Sequence, residues 1–195
     1  MIRYLVLLRG INVGGRHVVK MAELKSLLAD LGMSHVQTYI QSGNVILDSE
    51  LAEEELGSLL EQQLQLRFGF EIPVILRTVG EWHGIIERCP FSLEEAEDIR
   101  AASGKESLYI SFLEKFPAEE ALQVLLSYKT DEEEVQLIGR ELYLLVRKGI
   151  SDSKLANQLQ VLQVTATTRN WKTVEKLREL AGPAHEAPGK EDILR

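Results

Sequence analysis

Apolar residues in the first half of the chain change repeatedly from the period of a strand to that of a helix. Residues 4–8 form an apolar run typical of a buried strand. Leucines at positions 24, 27, 28 and 31 then have the spacing of one helical face. Two β-branched runs, 36–40 and 45–47, are separated by a short polar segment and predict a hairpin.

A second helix and a fourth strand complete this pattern. Leucines in residues 56–64 predict the helix, with Asp48 or Ser49 as its N-cap. Residues 70–76 alternate as a strand, and Pro73 within that run favours an edge position because proline cannot donate a ladder hydrogen bond. The order β-α-β-β-α-β with an edge strand in fourth place is typical of a ferredoxin-like plait.

The second half predicts the same order of elements with different residues. Its elements are a strand at 107–113, a helix after Pro117, a hairpin over 135–146, a helix from Ser153 to Leu159, a strand at 163–167 and a helix from about 170. We therefore predict an α+β fold of two ferredoxin-like halves. The predicted divisions are a first plait at 1–77, a helical linker at 78–105, a second plait at 106–182 and a mobile tail at 183–195.

Composition narrows the class of protein. The 195 residues carry a formal net charge of −8, which argues against avid, nonspecific binding of nucleic acid. No apolar run is long enough to cross a bilayer, and the N-terminus lacks the pattern of a signal peptide. A single cysteine excludes an intrachain disulfide. These features predict a cytoplasmic protein of bacterial type, with no membrane partner.

A glycine-rich loop follows the first strand. Residues 9–16 contain Gly10, Gly14 and Gly15 together with two arginines and Asn12, and no acidic residue precedes Glu23. Such a loop can present backbone N–H groups to an anion. It lacks the lysine and hydroxyl residue of a nucleotide triphosphatase phosphate loop, and its glycines do not match a dinucleotide fingerprint. The alternative is a connection that needs glycine only for its shape.

Two further segments carry polar side chains where the predicted strands end. The hairpin tip holds Gln41, Ser42 and Asn44, which ordinary turn chemistry would also explain. Residues 165–173 run from a strand into a helix, and residues 153–174 contain no acid. A helix N-terminus with basic neighbours favours an anion, although a simple helix cap is the alternative.

The sequence assigns no reaction. The four histidines have no metal-ligand spacing, and no nucleophile and base occur in a recognisable arrangement. We therefore predict no catalytic residue, no metal and no cofactor, while an enzyme of unidentified type stays open.

Three segments resemble the bacterial domain of unknown function 1697 family. They are Leu7-Leu8-Arg9-Gly10-Ile11-Asn12-Val13-Gly14-Gly15, Tyr39-Ile40-Gln41-Ser42-Gly43-Asn44-Val45 and Ala166-Thr167-Thr168-Arg169-Asn170-Trp171. The resemblance spans residues 1 to 181 and implies an α+β protein of two ferredoxin-like halves. The family has no established activity, so the resemblance implies positions of interest and no reaction.

The function we predict is binding of a small anionic ligand that bears phosphate or carboxylate. The expected ligand-binding residues are Arg9, Asn12, Gly14, Gly15, Gln41, Ser42, Asn44, Thr168, Arg169 and Asn170. Arginines supply forked, charge-assisted hydrogen bonds to such anions. The alternative is a nucleic-acid-binding module that uses the same basic face. The sequence leaves the oligomeric state open.

Overall fold

The computed structural model of the chain describes residues 1–183. Its strands are β1 (Ile2–Leu8), β2 (Ser34–Tyr39), β3 (Asn44–Ser49), β4 (Val74–Thr78), β5 (Leu108–Leu113), β6 (Glu133–Ile138), β7 (Glu141–Val146) and β8 (Ala166–Asn170). Its α-helices are α1 (Met21–Asp30), α2 (Glu53–Phe68), α3 (Val79–Glu87), α4 (Leu93–Ser103), α5 (Glu119–Leu126) and α6 (Trp171–Ala181). The predicted tail lies outside the described residues except for Pro183.

The strands form two antiparallel sheets of the same topology. The first has the order β2-β3-β1-β4 and the second the order β6-β7-β5-β8. This confirms the predicted α+β fold of two ferredoxin-like halves. β4 is an edge strand, as the proline predicts, but it begins at Val74, directly after Pro73 rather than around it.

The core has three parts because each sheet buries both faces. One face of the first sheet packs on α1 and α2, and one face of the second packs on α5 and the neighbouring 3-10 turns. The remaining two faces share a central cluster with α3 and α6. In that cluster the Trp82 ring stacks on Phe112 at 4.8 Å, and its Nε1 donates to the Val174 carbonyl at 3.0 Å. The two halves therefore share one buried interface.

Three local predictions are wrong. The strand predicted at 163–167 instead spans Ala166–Asn170, as β8. The α2 helix begins after Ala52 with no side-chain cap, because Asp48 instead binds Arg3 from within β3. The segment after Ser153 forms a 3-10 stretch at Ala156–Leu162 rather than an α-helix, and another 3-10 turn at Ile150–Asp152 precedes it. Ser153 does accept from the Ala156 N–H at 2.9 Å, but Gln158 departs from helical geometry (φ −111°, ψ 16°).

Two features of the connecting region have clear sequence origins. Thr78 and Glu81 form a reciprocal capping box at the start of α3. Ser92 caps α4, which occupies most of the polar stretch before β5. No helix of residues 1–183 is long and apolar enough to cross a membrane.

The ion pair between Arg3 of β1 and Asp48 of β3 should make the free energy of unfolding depend on pH in the acid range. Asp48 accepts from Arg3 Nε at 2.7 Å and Nη2 at 3.0 Å, and the hydrogen bond from Arg3 is the main cause that lowers the pKa of Asp48. A lowered carboxylate pKa adds stability above the ordinary aspartate pKa, and that stability is lost as the pH falls through the folded pKa.

We expect Asp48→Asn to be less stable than the wild type at neutral pH and equally stable in strong acid. Denaturant unfolding across an acid series measures this difference. Glu97→Gln is the control, because Glu97 also pairs with an arginine, Arg100, but lies exposed on one helix, so its replacement should change the stability little at any pH. If Asp48→Asn is still less stable than the wild type in strong acid, the ion pair with Arg3 is not the cause of the difference.

Candidate functional site

The glycine loop is braced against the hairpin tip by one asparagine amide. Asn12 Nδ2 donates to the Gln41 carbonyl at 2.8 Å and to the Val19 carbonyl at 3.0 Å, while Oδ1 accepts from the Val19 N–H at 2.9 Å. The loop after β1 and the β2–β3 tip therefore lie at the same end of the sheet, as the plait topology predicts. Asn12 itself has a structural role, because its amide is fully used.

The hairpin tip packs tightly on the end of β1. The Leu8 N–H donates to the Gly43 carbonyl at 2.8 Å. Gly43 has a φ of +79°, and a Cβ there would lie 2.7 Å from Leu8 Cβ. Asn44 is completely buried, and its Nδ2 donates to Ser42 Oγ at 3.0 Å and to the Tyr39 carbonyl at 3.2 Å. This turn thus requires glycine at 43 and buries an amide at 44 whose two N–H donors are both used.

Arg169 joins the second half of the chain to this turn. Its Nε donates to Asn44 Oδ1 at 2.6 Å, and its Nη2 donates to the carbonyls of Leu8 at 3.1 Å and Ser42 at 3.0 Å. Its Nη1 donates to Thr167 Oγ1 at 2.7 Å and to the Thr168 carbonyl at 2.9 Å. All three segments singled out in the sequence therefore meet at one guanidinium.

The Arg169 guanidinium is buried without a carboxylate. The residue is 8% exposed, and its five hydrogen-bond acceptors are all neutral groups. Burial lowers the pKa of Arg169 to about 10, so the side chain is still charged at neutral pH. No N–H group is left to bind a ligand directly, but the positive charge is not cancelled by any acid in contact with it.

The other predicted residues are spread around this junction. Ser111 Oγ and Thr168 Oγ1 form a hydrogen bond at 2.7 Å, and Thr168 points away from Arg169 because successive side chains of a strand alternate. Asn170 caps α6 by accepting from the Thr173 N–H at 2.9 Å. Gly14 and Gly15 are exposed in a turn where the Arg16 N–H donates to the Val13 carbonyl at 3.0 Å.

Arg9 differs from Arg169, the other predicted arginine, because its side chain is free. Its backbone N–H donates to the Pro73 carbonyl at 3.0 Å, but its exposed side chain forms no ion pair or hydrogen bond with any residue from 1 to 183. Arg9 lines a cleft of about 470 Å³ between the two halves, which we call the Arg9 cleft. The other lining residues are Ala156, Leu159, Gln160, Gln163, Val164, Thr165 and Ala166.

The Arg9 cleft contains one cation and no acid among its lining residues. Arg169 is not a lining residue, but two of its acceptors, the Leu8 carbonyl and Thr167 Oγ1, belong to sequence neighbours of the lining residues Arg9 and Ala166. A buried charge is screened by salt much less than an exposed one. The lining of the cleft therefore carries a net positive charge in a chain whose overall charge is negative.

A second buried arginine occupies the equivalent position in the first half. Arg77 lies opposite Leu5 in the register of β4 and β1, as Arg169 lies opposite Ile110 in that of β8 and β5. Arg77 is 1% exposed. Each arginine thus extends from the last strand of its own half toward the hairpin of the other half.

The two arginines differ in the charge of their partners. Arg77 Nε donates to a carboxylate, Glu141 Oε1, at 2.7 Å, and its Nη2 donates to the Leu113 carbonyl at 2.7 Å. Glu141 is the first residue of β7, as Asn44 is the first residue of β3. The same structural position therefore holds a neutralising carboxylate beside Arg77 and a neutral amide beside Arg169.

The cleft beside Arg77 contains both acids and bases, unlike the Arg9 cleft, whose lining has no acid. It has a volume of about 730 Å³, and its lining includes the acids Glu53, Glu54, Glu61 and Glu114. Arg140, which also lines it, donates to Glu53 Oε1 at 2.7 Å and to Glu81 Oε1 at 3.1 Å. The two halves thus form equivalent clefts whose lining residues differ in charge.

Sequence reasoning did not find several residues that define this geometry. Gln160 and Gln163 line the Arg9 cleft, and their only sequence signal was the absence of acids from 153–174. Thr165 also lines it and begins the segment 165–173, but it is not among the predicted ligand-binding residues. The Arg77–Glu141 pair joins residues 64 positions apart and carries no local motif.

Comparison with known proteins agrees with this architecture. A family model described as "Protein of unknown function (DUF1697)" matches residues 1–143, which include the first two of the three motifs. The structure of conserved bacterial protein SP0830 from Streptococcus pneumoniae is similar, with a TM-score of 0.73 and 26% sequence identity. The match covers 93% of this chain and 99% of that one. No curated protein matches this chain.

Proposed function

We propose that this chain, which belongs to the DUF1697 family, binds a small organic anion in the Arg9 cleft. The observation that carries the proposal is uncompensated positive charge. Arg9 lines the cleft without a partner among residues 1–183, and the buried Arg169, whose acceptors include the carbonyl of Leu8 next to Arg9, bonds to neutral groups only.

Because the two halves have the same topology, the charge around Arg169 can be compared with that around Arg77. At the equivalent position of the other half, Glu141 neutralises Arg77, and the adjoining cleft is rich in glutamate. Burying a charge without an opposite charge is costly, so a missing counter-charge calls for an explanation. An anionic ligand would supply that charge from solution.

The two arginines would contribute in different ways. Arg9 would form forked, charge-assisted hydrogen bonds with a phosphate or carboxylate group. Arg169 would act only through the electrostatic attraction of its charge, because its N–H groups already donate to protein acceptors. The neutral side chains of Gln160, Gln163 and Thr165 would contact uncharged parts of the ligand.

We expect Arg9→Gln to weaken binding of inorganic phosphate by roughly tenfold to a hundredfold, because a charge-assisted hydrogen bond contributes about 1.5–3 kcal/mol. Isothermal titration calorimetry measures the dissociation constant of each variant. Arg16→Gln is the matched control, since it removes one exposed arginine from the same loop outside the cleft. Equal losses for the two variants would reject a localised site.

The alternative function is nucleic-acid binding by the exposed loop itself. Arg9, Arg16 and Lys20 are exposed in a loop with no acidic residue, which is the observation that favours it. Short oligonucleotides distinguish the two functions in the same titrations. Affinity that rises with oligonucleotide length and falls steeply with salt would favour nucleic acid. Binding of small anions that depends on Arg9 alone would favour the cleft.

A further inference from the structure

The side chains of the Arg9 cleft can recognise neutral hydrogen-bonding groups of a ligand as well as its negative charge. Apart from Arg9, its polar side chains are two amides and a hydroxyl, from Gln160, Gln163 and Thr165. The Gln163 and Thr165 side chains form no hydrogen bond with any residue from 1 to 183, so their donors and acceptors are available to a ligand. Amides and hydroxyls both donate and accept, as the hydroxyl and amide groups of a ligand do.

The same cleft offers nothing to an ammonium group. None of its lining residues is acidic, and both nearby arginines would repel a second cation. A charged group that is removed from water without an opposite charge is strongly disfavoured. The carboxylates that could pair with an amine line the equivalent cleft beside Arg77 instead.

The volume of the cleft implies a ligand body beyond the anionic group. Small-molecule sites have volumes of roughly 300–1,000 Å³, and the Arg9 cleft of about 470 Å³ falls within that range. Arg9 marks only one part of its wall. Leu159, Val164 and the two alanines give the remainder an apolar surface against which a carbon skeleton can pack.

From these three observations we infer the class of ligand. The Arg9 cleft takes an organic anion whose body carries hydroxyl or amide groups and no ammonium group, such as a phosphorylated or carboxylated polyol. Amino acids and other zwitterions are rejected because their ammonium group has no partner. This inference rests on the proposed function and adds the chemistry of the ligand body.

A pair of matched probes tests the inference. O-phosphoserine and 3-phosphoglycerate share a carboxylate, a phosphate ester and a carbon skeleton, and they differ only in an ammonium against a hydroxyl group at the second carbon. In calorimetric titrations of the wild type we expect phosphoglycerate to bind about tenfold more tightly, the factor given by one charge-assisted interaction. Equal affinities, or tighter binding of O-phosphoserine, would overturn the inference.

A charge placed in the cleft should reduce or reverse this preference. Gln163→Glu supplies a carboxylate that can pair with the ammonium of O-phosphoserine, so the ratio of the two affinities should fall by about tenfold or more. Gln62→Glu is the control, because it adds the same charge on the exposed surface of α2 outside both clefts. A ratio that stays the same in Gln163→Glu would also overturn the inference.

The outcomes separate this inference from the proposed function. If inorganic phosphate binds in an Arg9-dependent manner while the two probes bind equally, the anion site stands and the ligand class is wrong. If neither probe nor phosphate binds, the proposed function fails and the ligand class fails with it.

Discussion

Replacing Arg77 by methionine should lower the free energy of unfolding by about 3–5 kcal/mol, the range found when one partner of a buried ion pair is removed. Methionine fills much of the same volume, so the loss reports on charge and hydrogen bonds rather than on a cavity. The cause is Glu141, which is 3% exposed and would lose the guanidinium that neutralises it. Denaturant unfolding at neutral pH measures the effect.

The same substitution at the equivalent position should cost less. Arg169→Met leaves only neutral acceptors unpaired and also removes an uncompensated buried charge, so we expect about 1–3 kcal/mol. Combining Arg77→Met with Glu141→Gln should recover part of the first loss, because no isolated carboxylate is left. Equal losses for the two arginine variants, with no recovery in the double variant, would show that charge balance does not distinguish the two positions.

Alanine at Gly43 should destabilise the protein by about 3 kcal/mol, since it combines a strained backbone with a steric clash. Gly43 has a φ of +79°, and its new Cβ would lie 2.7 Å from Leu8 Cβ and 3.1 Å from the Leu8 carbonyl oxygen. That carbonyl also accepts from Arg169, so any shift of the backbone would disturb the junction between the halves. Thermal and denaturant unfolding measure the loss.

Gly14→Ala is the matched control for Gly43. Its φ of +58° imposes a similar conformational restriction, but a Cβ at Gly14 would meet nothing within 4 Å. We therefore expect a loss of only about 1 kcal/mol, from backbone strain alone. A loss at Gly14 as large as that at Gly43 would mean that packing against Leu8 is unimportant.

The fold was predictable from local pattern because its signals are local. Alternation and helical spacing identify most elements, and the constraint that Pro73 places on a strand correctly assigns β4 to an edge. The 3-10 turns after Ser153 were not predicted because their conformation depends on tertiary packing. Leu155 and Leu162 are buried in the core of the second half, which fixes a path that helical spacing alone does not specify.

The candidate site was only partly predictable, because the sequence shows which side chains can donate hydrogen bonds but not which of them are already bonded to other protein groups. The three motifs do meet, yet Arg169 and Asn44 bond to each other across 125 positions, and Asn12 is fully used in bracing the loop. Arg9 is the predicted residue whose charge is free in residues 1–183. Gln163 belongs to none of the three motifs and Thr165 only begins the segment 165–173, since both join the cleft only when the two halves pack.

Titration of phosphate into Asn44→Asp tests most directly whether uncompensated charge makes the Arg9 cleft an anion site. The substitution gives Arg169 the kind of carboxylate partner that Glu141 gives Arg77, without altering any lining residue. Unfolding curves establish that the variant is folded, and Arg169→Met removes the same positive charge by another route. We predict that both folded variants bind phosphate about tenfold or more weakly than the wild type. Affinity equal to that of the wild type in both would contradict the account.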